Sequence, residues 1–171
     1  MIVQTSRFGS VEIQEDRVIQ FARGILGFPK FKNYVLIQPE ADSTFYWLQS
    51  LEAADLAFVV TDPLLFVPDY QVPLREEARV ELNLSDLSEA NVLVIVNKVG
   101  DMLTANLQGP LVIHAGSRVA AQIVISEKKY QTRHPIVQLQ RQGAAGTAGG
   151  TAKPAQPQTA TANQTYVSKS A

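Results

Sequence analysis

The sequence predicts a mainly β protein: a small antiparallel β-barrel-like domain with one or two short helices and a disordered C-terminal tail. Short segments rich in β-branched and aromatic residues recur over residues 1–136, punctuated by turn formers. Most of the links between them are short, as antiparallel neighbours allow. One segment, VLVIVN over residues 92–97, is apolar on both faces, as expected of a strand buried in a barrel or a barrel-like sandwich.

Taken in order, Ile2 to Ser6 and Ser10 to Ile13 flank Phe8-Gly9, which reads as a hairpin turn. Val18 to Phe21 and Tyr34 to Gln38 are strands separated by a loop containing Gly24, Gly27 and Pro29. Gly24-Ile-Leu-Gly27 reads as a turn that needs φ > 0 twice, not as a phosphate cradle. Thr44 to Gln49 follows, with Phe45 and Trp47 on one face and Tyr46 on the other. Ala57 to Thr61 is stopped by Asp62-Pro63, and Phe58 within it is expected in the core. Residues 73–90 are the least strand-like; Asp86-Leu-Ser-Glu89 has the form of a capping box and predicts a short helix, while Arg75 to Glu81 fits helix or extended chain equally. Met102 to Leu107, Leu111 to His114 and Arg118 to Ile125 complete the set.

The chain is 171 residues long and 46% hydrophobic, enough for one domain with a sizeable core. The division read from composition is a barrel domain over 1–136 and a low-complexity tail over 137–171. Residues 142–162 are Ala, Gly, Thr, Gln and Pro with almost no large apolar side chains, which predicts disorder. Without cysteine there is no disulfide or thiolate metal site. No stretch has the form of a signal peptide or a membrane-spanning helix, so the expected setting is cytoplasmic.

Chemistry-bearing patterns are sparse. His114 and His134, without a HExxH spacing, make a poor metal signal and read as satisfied edge residues. There is no GxSxG, GxGxxG or GxxxxGK[ST], so no cofactor and no catalytic residue is expected. Asp62 reads chiefly as a turn residue hydrogen-bonding its own backbone.

Charge is the stronger signal. Between Glu40 and Glu89 there are eleven acids against Arg75 and Arg79, a local net of −9 in a chain whose total is −1. That sign opposes direct nucleic-acid binding and favours a basic protein partner. Six residues stand out as candidate partner-binding positions: Asp62, Phe66, Asp69, Tyr70, Glu76 and Glu77. Phe66 and Tyr70 lie in a loop bounded by Pro63, Pro68 and Pro73, and each fits an interface anchor or a core position equally.

Several pieces together resemble the flagellar assembly factor FliW family across nearly all of residues 1–136. They are Gly24-Ile-Leu-Gly27-Phe28-Pro29, then Phe45-Tyr46-Trp47-Leu48-Gln49-Ser50-Leu51, and Ala57-Phe58 leading to Asp62-Pro63, Phe66 and Asp69-Tyr70. Thr104-Ala105-Asn106-Leu107-Gln108-Gly109-Pro110-Leu111-Val112-Ile113 and Gln122-Ile-Val-Ile125 with Tyr130 follow in the same order. The chain departs from the family pattern at Gly109, where Ala is typical, at His114, where Asn is typical, and in its long tail. The resemblance implies a cytoplasmic barrel-like protein that is not an enzyme. It further implies binding to CsrA, an RNA-binding translational regulator, which relieves repression of flagellin synthesis, and binding to flagellin itself. Two competing classes are an OB-like nucleic-acid-binding barrel, which would need a basic groove, and a small-barrel enzyme such as a flavin reductase, for which no motif is present.

Overall fold

The computed structural model describes residues 1–140; the predicted disorder over 142–162 and the part of the tail beyond residue 140 lie outside the described residues. Among the described residues there are eleven strands: β1 (Ile2–Thr5), β2 (Gly9–Glu12), β3 (Ile19–Phe21), β4 (Asn33–Ile37), β5 (Phe45–Ser50), β6 (Ala57–Thr61), β7 (Ala90–Val99), β8 (Met102–Ala105), β9 (Leu111–His114), β10 (Val119–Gln122) and β11 (His134–Gln138). One α-helix, α1 (Glu76–Leu82), interrupts the series between β6 and β7.

Seven strands close a barrel in the order β3-β4-β5-β6-β7-β9-β10 and back to β3. Closure leaves no free edge on that ring, which removes the usual hazard of edge-to-edge pairing. Every pairing is antiparallel except β10–β3, where Val119 lies beside Gln20 and Ala120 beside Phe21. The ten-residue β7 pairs with β6 along one edge. Its other edge is shared, Ala90–Leu93 with β9 and Val96–Val99 with β8. β11 adds to β8 through Gln138, so the last strand runs two residues past Ile136. The hairpin β1–β2 turns at Gly9 (φ +67), as the Phe8-Gly9 signal predicts.

Alternation along the strands sorts side chains into three cores. Ile19, Phe21, Tyr34, Leu48, Val60, Leu93 and Ile113 fill the barrel, with Tyr46, Phe58 and Ile95 packed against them. On the outer face of β4 and β5, Val35 and Ile37 meet Val3, Val11 and Ile13 of the hairpin, with Trp47 alongside. On the outer face of β7 and β9, Val94 and Val112 meet Leu82, Leu84, Tyr70 and Tyr130. The run VLVIVN is apolar on both sides because β7 separates the barrel interior from this outer layer. Each large apolar side chain buried this way contributes about 1.5–3 kcal/mol.

Helix α1 resolves the ambiguity over residues 75–81. Its Glu76 and Glu77 sit in the first turn, where the helix dipole favours anions. Its end is a left-handed cap: Asn83 (φ 52, ψ 44) donates its N–H to Val80, and Leu84 donates to Arg79. Leu82 and Leu84 are both buried, so the cap turns the chain back onto the barrel. The Asp86–Glu89 signal produces a single 3-10 turn over Leu87–Glu89.

Candidate interaction surface

The connection from β6 to β7, residues 62–89, carries all six candidate positions. It starts at Asp62, which accepts a hydrogen bond from the Leu64 N–H at 2.9 Å and so caps a 3-10 turn over Pro63–Leu65. Asp62 therefore performs the turn role read from the sequence. It also approaches Tyr46, whose pKa is raised by burial and then by the Asp62 charge.

Phe66 closes that turn half-buried, its ring stacked on Phe45 at 6.1 Å. Leu64 and Leu65 beside it are 52% and 56% exposed. Sequence reading passed over this pair, although two leucines directly after an Asp-Pro helix start are poorly placed to reach a core. Asp69 is exposed.

Tyr70 is a correction to the candidate set. Only 7% exposed, it donates its hydroxyl proton to the Leu107 carbonyl at 2.7 Å, and its ring meets that of Tyr130 at 4.8 Å. Burial, then the neighbouring Tyr130, pushes its pKa up. Tyr130 in turn accepts the Gln71 N–H at 2.8 Å. The two tyrosines clasp the connection to the barrel, so Tyr70 orders the surface without being part of it.

Glu76 and Glu77 are exposed on α1. Glu76 lies 3.5 Å from Arg79, and Glu81 lies 3.2 Å from Arg23. The first pair is solvated and contributes little to stability, and the second joins an exposed Arg23 to a half-buried Glu81. Asp86 accepts from the backbone N–H and the hydroxyl of Ser88, which holds its carboxyl below the usual range, and Glu89 accepts from the Ser85 N–H at 2.7 Å. The acids of the segment thus divide by role. Asp62, Asp86 and Glu89 cap turns, and Glu52 receives the N–H groups of Lys32 and Asn33. The carboxylates of Asp69 and Glu77 make no hydrogen bond or ion pair among the described residues, and they point their charge at solvent.

The candidate positions are strung along one connection and are not gathered from several strands. Among the described residues no group of three or more His, Cys, Asp or Glu side chains comes together. His114 accepts the N–H groups of Gly116 and Ser117 on Nδ1, at 3.0 and 3.2 Å, and so orders its own turn. No helix among the described residues is long and apolar enough to cross a membrane.

Fold and surface together define a closed seven-stranded barrel with an acidic connection packed over its outer face. The chain belongs to the FliW family: the family described as FliW protein matches residues 2–136. It is 41% identical over 149 residues to the flagellar assembly factor FliW of Geotalea uraniireducens, covering 85% of this chain and 90% of that one. The protein of that name from Alkaliphilus metalliredigens is 37% identical over 141 residues, covering 81% and 87%. A crystal structure of the flagellar assembly factor FliW superimposes with a TM-score of 0.74 at 29% identity, covering 83% of this chain and 99% of that one.

Proposed function

We propose that this flagellar assembly factor works in the cytoplasm by binding CsrA and relieving its repression of flagellin synthesis. It also binds flagellin, as a chaperone and sensor, and catalyses nothing. One observation carries this reading: the exposed carboxylates of Asp69, Glu76 and Glu77 are held on a connection clasped by Tyr70 and Tyr130. A regulator that grips RNA phosphates must be basic where it does so. A fixed acidic surface meets such a partner with complementary potential, which raises association rate and specificity. If CsrA and flagellin exclude one another, each lowers the apparent affinity of the other, and unexported flagellin would return CsrA to its messages.

The test is reconstitution. Mixed at micromolar concentration with CsrA from the same organism, the protein should elute as one complex on size exclusion with light scattering. Added flagellin should release CsrA. Absence of any complex at that concentration would overturn the reading.

A further inference from the structure

We propose that the β3–β4 loop is a second protein-docking surface, fitted to an acidic amphipathic helix and adjoining the acidic connection at the Arg23–Glu81 pair. Its tip residue Leu26 is 65% exposed and Phe28 is 36% exposed. A single exposed leucine is ordinary on any protein. Here, however, the backbone under it is fixed from several sides. Gly24 (φ +69) and Gly27 (φ +87) both take left-handed conformations, as the sequence pattern requires. A Cβ on Gly24 would stand 2.7 Å from the Phe28 carbonyl oxygen, so the loop closes tightly on itself. Ile25 and Phe28 form an isolated bridge. The Phe28 ring packs on Phe58 at 5.1 Å. Gln122, 96 residues away, accepts the N–H of Leu26 itself at 2.9 Å. An apolar side chain presented on a pre-ordered backbone loses little entropy when it docks.

Charge selects the partner. From Arg17 to Pro39 the chain has four basic residues, Arg17, Arg23, Lys30 and Lys32, and no acid. The acids that reach the loop are Glu52, taken by backbone N–H groups at its base, and Glu81, paired with Arg23. The Lys32 ammonium donates to the Ala22 carbonyl across the neck of the loop. Arg23 is 82% exposed despite its pair, and Lys30 is exposed. An amphipathic helix laying its apolar face on Leu26 and Phe28 would bring flanking carboxylates to Arg23 and Lys30. Anionic lipid offers the same charge, but two apolar side chains give a weak membrane anchor, so a polypeptide is the better fit. The inference does not depend on the proposed CsrA binding.

The test uses the full chain and two labelled helical peptides with one apolar face, one carrying glutamate and the other lysine on the polar face. The glutamate peptide should bind. Leu26→Ser or Lys30→Glu should weaken it at least about tenfold, while Glu76→Lys/Glu77→Lys leaves it unchanged or tighter. Circular dichroism melting should show each variant folded; Gln20→Glu, a surface change on β3, serves as a second folded control. Failure of the glutamate peptide to bind below about 1 mM would overturn the proposal. So would binding indifferent to Leu26, or Leu26-dependent sedimentation with phosphatidylglycerol vesicles in its place.

Discussion

The hydroxyl of Tyr70 donates to the carbonyl of Leu107 at 2.7 Å, tying the acidic connection to the β8–β9 segment thirty-seven residues later. Tyr70→Phe keeps the ring and strands that buried carbonyl. Unfolding in urea should show a loss of about 1–2 kcal/mol. An unchanged midpoint would mean that the bond does not hold the connection.

Tyr34 is the opposite case. It is fully buried among Phe21 and Phe58, and its hydroxyl has no hydrogen-bond partner among the described residues. Tyr34→Phe should therefore leave stability at neutral pH unchanged or raise it by up to about 1 kcal/mol. Burial, then the Glu52 charge, pushes the Tyr34 pKa from 10.0 up to about 12. Below pH 10 the hydroxyl is protonated in both states and stability is complete. Between 10 and 12 the unfolded tyrosine ionises while the folded one does not, so stability falls as pH rises. Melting temperature followed from pH 8 upward should drop less steeply in Tyr34→Phe than in wild type, with Tyr46 and Tyr70 supplying the remaining slope.

These two tyrosines also show what the sequence could reveal. Alternation separated Tyr46 from Trp47, because a strand's period of two is a local property. The left-handed pairs at Gly24 and Gly27 and the turn at Asp62 were legible for the same reason. The burial of Tyr70 was not, since it depends on a carbonyl supplied from a distant segment. Nor was the parallel contact of β10 with β3, which closes the barrel across about a hundred residues. β11 escaped notice because Pro135 sits inside it. Proline is tolerated there at a bulge on the outermost strand, between Pro135 and Val137.

That strand gives a third prediction. Val137 pairs with Leu103 and Gln138 with Met102, and the Leu139 N–H donates to Asp101. A chain ending at Ile136 loses these and should be less stable than one ending at Gln140, by about 1–3 kcal/mol. Equal denaturation midpoints for the two truncations would contradict the pairing.

Two glycines separate backbone strain from crowding. Gly24 and Gly100 both have positive φ, +69 and +59, but nothing lies within 4 Å of a Cβ on Gly100. Gly100→Ala should cost about 1 kcal/mol. Gly24→Ala meets backbone at 2.7 and 2.8 Å and should cost at least about twice that. Thermal melts of the two variants provide the comparison.

The central claim is that fixed surface charge on residues 62–89 recruits a basic partner. Calorimetric titration with CsrA at rising salt tests it most directly, comparing wild type with Asp69→Lys/Glu76→Lys/Glu77→Lys. We predict an affinity loss of at least about tenfold for the variant at low salt and a flattened salt dependence. Equal affinity and equal salt dependence in the two proteins would contradict the account.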